Sequence, residues 1–396
     1  MSKPKLLWWG DAVAPTGFAR VTHEILERLK DRWDVHVLGL NYHGDPHHYD
    51  YPIFPARLGL AQNPFGIDRA KSLCDVIKPD VVVANNDPWN VSLYMKVLPP
   101  EVPVVGYLPV DGRNCFFGQK LNGLAHLIGY TQFGIDEMIK SGYTGPSSVI
   151  PHGVDSKLFR PIDDKIGLRT RLGLDAIGSD LFIVGNVNRN QPRKRQDLTI
   201  QYFADWWRRA GMPSNARLYF HYAGQAGWNL VQMARFYGVA QQLMQSHDQA
   251  GADAAAVSDE DLCVAYNLFD VHVSTTQGEG WGLTAMEAMA CGVPNILPDW
   301  SAFGEWAKDA AYLVPCTTTA ATAQGVNVIG GVADREKFVE ALDVMYRSRD
   351  MREEYGRRGR ALVTEPRFAW SDVAERFHAV LTDVHARAQY TKGQES

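Results

Sequence analysis

Cysteine is scarce in this chain and unpatterned: five residues, Cys74, Cys115, Cys263, Cys291 and Cys316, with no C-x-x-C pair. An odd, scattered set argues against a disulfide framework or a thiolate zinc site, and fits a reducing compartment, so a cytoplasmic location is expected. Long apolar runs are also missing. No stretch reaches the roughly 20 residues that a membrane-spanning helix needs. MSKPKLLWWGD enters a strand directly, without the apolar core and cleavage site of a secretory leader. Positive charge is not in excess either: the formal balance is −5, which gives no global drive toward nucleic acid or anionic lipid, although a local basic groove remains compatible with that sum.

What the chain does have is length and alternation. Its 396 residues exceed what one core accommodates, which predicts two domains, and 45% hydrophobic with 21% charged residues is an ordinary globular composition. KLLWWG reads as a strand, FARVTHEILERLKDR as an amphipathic helix, WDVHVLGL as a strand and DRAKSLCDVIKP as a helix. DVVVANN, VPVVGYLP and HLIGYT follow as short buried strands. After SSVIPHGVDSKLFRP, which reads as a linker closing at Pro161, the pattern resumes with the strand LFIVGNVN, the helix DLTIQYFADWWRRAG, the strand ARLYFHYAG and the helix NLVQMARFYGV. Such βαβ alternation predicts two α/β domains, 1–160 and 161–369, each a doubly wound parallel sheet with ligands at the carboxyl ends of its strands. No internal repeat is visible, WSDVAERFHAVLTDVHARA reads as one helix, and the tail after about Arg387 reads as disordered.

The most informative stretch is TTQGEGWGLTAMEAMACGVP, with Glu279 and Glu287 eight positions apart. LFDVHVST before it alternates and is β-branched, so it reads as a buried strand. A glycine loop follows, then a helix from about Leu283 to Cys291, stopped by Gly292 with Pro294 just beyond. Strand, glycine loop and helix N-terminus present free N–H groups and a positive dipole end, which is how α/β proteins hold phosphate. Glu279 then sits in the loop, and Glu287 lies just past the first turn, where a carboxylate accepts hydrogen bonds from vicinal hydroxyls. Two glutamates on a solvated helix face are the bland alternative.

This stretch resembles the E-x7-E signature of the family-4 retaining glycosyltransferases. The likeness extends over nearly the whole motif, E-G-W-G-L-T-A-M-E-A-M-A-C-G-V-P. It implies a GT-B fold, two Rossmann-like domains facing a central cleft, with the C-terminal helix 370–390 crossing back to complete the first. It further implies an acceptor-binding N-terminal domain and a donor-binding C-terminal domain that holds a UDP- or GDP-sugar through Gly280, Trp281, Gly282, Leu283, Thr284 and Glu287, with Glu279 on sugar hydroxyls. In GNVNRNQPRKRQDL, Arg189 and Lys194 stand where the family places cations on the donor pyrophosphate, although some members carry the arginine one residue earlier. There they would stabilise charge growing on the leaving phosphate. Arg193 and Arg195 are open to reading as surface charges on the same loop, and a solvated basic run is the bland alternative for all four residues. No metal or other cofactor is required in this scheme.

In the loop GDAVAPTGFARV, Gly17 lets backbone approach a diphosphate or acceptor, and Thr16 reads as a helix N-cap. The family often has a Gly-Gly pair here, which this chain lacks. Asp11, Asn86, Asp87, Tyr107 and Asp111 are acceptor-side candidates at carboxyl ends of strands. Asp111 is near the slot where relatives carry a catalytic-site histidine, and is otherwise a turn-forming Asp-Gly. His152 reads as a hinge residue near the cleft, Glu305 resembles the family's later P-E acid or else only caps or packs, and Ser258-x-x-Asp261 reads as a helix cap rather than a metal site. His43, His47 and His48 form a histidine-rich loop without a carboxylate at ligand spacing, which favours surface or acceptor-side placement over metal binding. The acceptor is open among a small molecule, a lipid-linked sugar, a protein and hydroxymethylated DNA, because the WWGD…TGFARV and NNDPWN segments resemble a bacterial and phage subgroup. A nucleotide-sugar epimerase would need acids and bases at the sugar C2 position, and no convincing carboxylate–histidine set is present. A non-catalytic sugar-binding protein would not need all four charged residues intact.

Overall fold

The computed structural model describes residues 2–13, 16–59, 63–178, 180–221, 227–246, 257–322 and 327–395. The chain divides into two compact units, Met1–Gly153 with Pro366–Ser396, and Val154–Glu365. The N-terminal unit holds strands β1 (Lys5–Asp11), β2 (Asp34–Leu40), β3 (Ile53–Pro55), β4 (Val81–Asn85), β5 (Val104–Leu108), β6 (His126–Gly129) and β7 (Ser147–Val149). They form a sheet in the order β3-β2-β1-β4-β5-β6-β7, with every pairing parallel.

The C-terminal unit repeats that order as β10-β9-β8-β11-β12-β13-β14. Its strands are β8 (Phe182–Val187), β9 (Ala216–His221), β10 (Leu243–Gln245), β11 (Val271–Val273), β12 (Asn295–Asp299), β13 (Tyr312–Ala321) and β14 (Ile329–Ala333). The doubly wound reading therefore holds in both units. One departure is the antiparallel β13–β14 edge. In each sheet the strand order reverses at its centre, between β1 and β4 and between β8 and β11, and that crevice is where doubly wound sheets bind ligands.

The two tryptophans of β1 show how period-two alternation builds the N-terminal core on both sheet faces. Trp8 donates its indole N–H to Thr22 Oγ1 at 3.0 Å on helix Gly17–Leu29, and lies 5.8 Å from the Phe377 ring. Trp9 stacks on Tyr94 at 3.9 Å and donates to the Phe65 carbonyl at 2.8 Å. The last helix, Trp370–Glu395, belongs to this unit, where the Arg32 guanidinium pairs with Glu375 at 2.8 Å and Trp33 donates to His378 at 3.1 Å.

Two sequence expectations are corrected. Residues after Arg387 are helical through Glu395, since extending an established helix costs little once its first turns are anchored by packing. The stretch LFDVHVST is not all strand: Leu268 ends the helix Asp259–Leu268, and only Val271–Val273 pair in the sheet. Of ARLYFHYAG, the strand covers Ala216–His221, and residues 222–224 lie outside the described residues. No helix among the described residues is long and apolar enough to cross a membrane.

Candidate functional site

In the C-terminal unit, the residues singled out by sequence gather at the β8–β11 reversal. β8 runs into a loop whose turn Pro192–Lys194 precedes the helix Gln196–Arg209. β11 leads into Gly278–Gly282 and the helix Leu283–Ala290. Gln277 N donates to the Arg193 carbonyl at 3.0 Å, which ties the two loops together, and Gly331 N on β14 donates to the Gln277 carbonyl at 2.8 Å.

Lys194 Nζ lies 2.5 Å from Glu279 Oε1, and the Arg193 guanidinium lies 3.3 Å from Glu279 Oε2 while also donating to the Gly278 carbonyl. Glu279 is 6% exposed. Burial alone would raise its pKa, but the Lys194 and then the Arg193 charge outweigh that and hold the carboxyl below the ordinary glutamate value. The arrangement is a buried carboxylate with a cation pair beside it at a strand–loop–helix junction. Arg189, in the same loop, is exposed. Arg195 is half-buried and grips Asp197 through two nitrogens, at 2.9 Å each. Thus Arg193, which the sequence left open, joins Lys194 at Glu279.

Gly282 has φ 94°, and a Cβ there would come within 2.3 Å of the Phe303 ring, so only glycine fits this N-cap. Gly280 and Trp281 are buried; Leu283 and Thr284, at the helix start, are half-buried. The Trp281 side chain is turned to packing: it stacks on Trp306 at 5.2 Å and donates to Met286 Sδ at 3.3 Å. The Trp281 carbonyl accepts from the Trp306 indole N–H at 2.9 Å. Glu287 is 3% exposed and accepts from the Tyr266 hydroxyl at 2.7 Å.

Two contacts at this site had no sequence signal. Tyr266 lies in the preceding helix, and Ser301 accepts from Glu279 N at 3.0 Å and donates to the Glu279 carbonyl at 3.1 Å. Ser301 has φ 48°, a left-handed conformation that a non-glycine residue adopts at some cost. Glu305, on the same short helix, is exposed.

In the N-terminal unit, Thr16 caps the helix Gly17–Leu29, accepting from Ala19 N at 3.0 Å, and donates to Asp11 Oδ2 at 2.7 Å. Asn41 donates to the other Asp11 oxygen at 3.3 Å, and Gly17 is exposed at the first helical position. Asp11 and Gly17 are thus brought together. Asn86 is engaged locally, accepting from Asp87 N at 2.7 Å and Asn90 at 2.9 Å. Tyr107 is buried against Tyr130 and donates to the Ile150 carbonyl at 3.3 Å. Asp111 is half-buried after β5. His152 lies among the Tyr130, Tyr107 and Trp370 rings, and burial pushes its pKa down to about 3. Ser258 caps the helix Asp259–Leu268 by accepting from Asp261 N at 3.0 Å, as its spacing predicted. Among the described residues, no group of three or more His, Cys, Asp or Glu side chains is placed to hold a metal ion.

Residues 175–362, which contain both clustered glutamates, match the family model described as glycosyl transferases group 1. The chain is 30% identical over 168 residues to the lipopolysaccharide core biosynthesis mannosyltransferase LpsB of Rhizobium meliloti, covering 40% of this chain and 42% of that protein. It is 29% identical over 236 residues to a D-inositol 3-phosphate glycosyltransferase of Stackebrandtia nassauensis, covering 58% and 46%. The chain thus spans less than half the length of these curated relatives. Among solved structures it resembles sucrose-phosphate synthase from Thermosynechococcus elongatus, with a TM-score of 0.76 at 17% identity over 98% of this chain and 100% of that one. It also resembles Anabaena Alr3699/HepE in complex with UDP-glucose, with a TM-score of 0.70 at 17% identity over 96% and 99%. At such identities the likeness establishes the fold, the two Rossmann-like α/β domains of the GT-B glycosyltransferases.

Proposed function

We propose that this chain is a glycosyltransferase that moves a sugar from a nucleoside-diphosphate sugar to an acceptor hydroxyl, with retention at the anomeric carbon and without a divalent metal. The observation that carries the reading is the convergence of Lys194 and Arg193 on buried Glu279, beside the N-terminus of the helix Leu283–Ala290. As the bond from the anomeric carbon to the β-phosphate oxygen breaks, its electron pair stays on that oxygen. Lys194, Arg193 and the helix N-terminus then stabilise the growing charge more than they stabilise the bound donor. The acceptor oxygen bonds to the anomeric carbon on the face the phosphate leaves, and its proton passes to the departing phosphate oxygen. Glu279 orients sugar hydroxyls. Glu287, with one oxygen held by Tyr266, accepts from the ribose diol.

Arg189 remains a second candidate for the diphosphate, and Asp11, Gly17 and Asp111 serve the acceptor side. UDP-sugars head the list of donors because HepE, which shares the fold, holds UDP-glucose. Hydroxymethylated DNA is a second acceptor reading. It is supported by an aromatic-cationic patch in which Lys120 lies 5.0 Å over the Phe117 ring and Phe116, 48% exposed, stacks on Phe117.

The test is turnover of a panel of UDP- and GDP-sugars, first by donor hydrolysis and then with sugar, glycan and hydroxymethylated-DNA acceptors. The product anomer is read by NMR, with and without EDTA. Retained configuration and EDTA-resistant rates are expected. Inversion, or an EDTA loss that magnesium or manganese restores, would sink the mechanism.

A further inference from the structure

Beneath the cationic loop runs a one-way chain of buried hydrogen bonds. Asn188 Nδ2 donates to Asn186 Oδ1 at 3.0 Å, and Asn186 Nδ2 donates to Thr199 Oγ1 at 3.0 Å. The Thr199 and Thr275 hydroxyl oxygens are 2.6 Å apart, and Thr275 Oγ1 donates to the Arg195 carbonyl at 2.7 Å. A hydroxyl has one proton. Thr275 commits its proton to Arg195, so Thr199 is the donor within the pair and the polarity is fixed from Asn188 to Arg195. Asn186, Asn188, Thr199 and Thr275 are all buried. A further tie closes the loop, since Gln196 Nε2 donates to the Asn188 carbonyl at 3.2 Å.

The two ends of this chain are the two ends of the loop that carries Arg189, Arg193 and Lys194. Arg195, its last residue, has φ 49°. That left-handed turn is costly for a side chain with a Cβ and persists only where surrounding contacts over-determine it. The Thr275 hydroxyl on its carbonyl is such a contact. It acts one residue beyond Lys194, where a change of backbone direction would carry Nζ away from Glu279.

We infer that the Thr199–Thr275 hydroxyl pair is a positioning device that locks the left-handed turn at Arg195 and so aims Lys194 at the donor phosphate. The inference rests on the transferase reading of the site. Neither threonine touches the reacting atoms; both act through Lys194.

The experiment compares Thr275→Val, Thr199→Val and Thr275→Ser in the full chain, each alone and combined with Lys194→Ala. Valine keeps the volume and removes the hydroxyl. Either valine variant is expected to lower kcat roughly 10- to 100-fold, the scale of a small misplacement at a reacting centre. KM for the donor should stay within about threefold, and Thr275→Ser should return most of the loss. In the Lys194→Ala background, Thr275→Val should change kcat by less than about twofold, because the group it positions is gone. Losses that multiply in full would overturn the inference.

Hydrogen exchange of the peptide spanning residues 189–197 reads the turn without any activity. Faster exchange in Thr275→Val and near-native exchange in Thr275→Ser are expected, and unchanged exchange in Thr275→Val overturns the proposal. A wild-type protein that turns over no sugar nucleotide, yet responds this way in exchange, would sink the transferase reading alone. The locked turn would then stand on the exchange data.

Discussion

Lys194 carries two duties that a single substitution confounds. It neutralises a buried carboxylate at 2.5 Å, and in the proposed reaction it meets the leaving phosphate. Lys194→Ala should lower kcat by roughly ten- to a thousandfold, the range for losing one preorganised charge partner. It also strips Glu279 of its nearest cation, and removing one partner of a buried pair typically costs about 3–5 kcal/mol of stability. Turnover must therefore be compared in protein whose unfolding midpoint is also measured. Normal turnover in a folded Lys194→Ala protein would remove the role. Because Arg193 rather than exposed Arg189 reaches Glu279, Arg193→Ala should cost more kcat than Arg189→Ala; the reverse ranking would return the phosphate contact to Arg189. For Glu287, the expected effect of alanine is weaker binding of free nucleoside diphosphate by about 1.5–3 kcal/mol, the scale of a charged hydrogen bond. Calorimetry with a 2′,3′-dideoxyribose analogue checks the assignment. Wild type should discriminate against the analogue and Glu287→Ala should not, and equal discrimination by both would place Glu287 elsewhere.

The loop–helix element that carries both glutamates depends on Gly282 more than on any side chain. Its φ of 94° and the 2.3 Å approach of the Phe303 ring to a notional Cβ act together. Gly282→Ala should lose about 1–3 kcal/mol from backbone strain, with a similar further loss from overpacking. Nucleotide affinity should fall too, because the helix N-terminus moves. An unchanged urea midpoint with intact binding would show the cap to be tolerant. Much of this element could be read from the sequence: glycine punctuation and the apolar run gave a helix from Leu283, which ends at Ala290 with Cys291 as cap. What could not be read is what holds it. Tyr266 reaches Glu287 from 21 residues away, Ser301 reaches Glu279 from 22, and Thr199 reaches Thr275 from 76. Tyrosine, serine and threonine at such separations carry no local period or spacing, so their partners emerge only when the sheet brings separate loops to one end. The antiparallel β13–β14 edge escaped for a related reason: its strand residues, Cys316 to Ala321 with Ile329 to Ala333, are short, threonine-rich and glycine-rich rather than periodic.

At the scale of the whole chain, the two units share a strand order without a visible sequence repeat, and each buries histidine in its neutral form. Burial lowers the pKa of His23 to about 4 and of His152 to about 3 in the N-terminal unit, and of His272 to about 4 in the C-terminal unit. An unfolded histidine titrates near 6.5. Between that value and about 4 the unfolded chain binds protons that the native chain excludes, so stability is retained above about pH 6.5 and lost as pH falls below it. Each such histidine contributes a slope of roughly 1.4 kcal/mol per pH unit in that window. The N-terminal unit, with two of them, should therefore be the more acid-labile, and two units give reason to expect two transitions rather than one. His152→Phe keeps an aromatic ring against Tyr130, 4.2 Å away, and removes one titrating group. Urea unfolding from pH 7.5 to 5, followed by exchange or limited proteolysis to tell the units apart, should show the N-terminal transition losing about one histidine's worth of pH slope in this variant. The C-terminal transition should keep its wild-type slope. An identical pH slope in wild type and His152→Phe would mean that His152 is protonated in the native state as readily as in the unfolded chain, and that burial is not what holds it neutral.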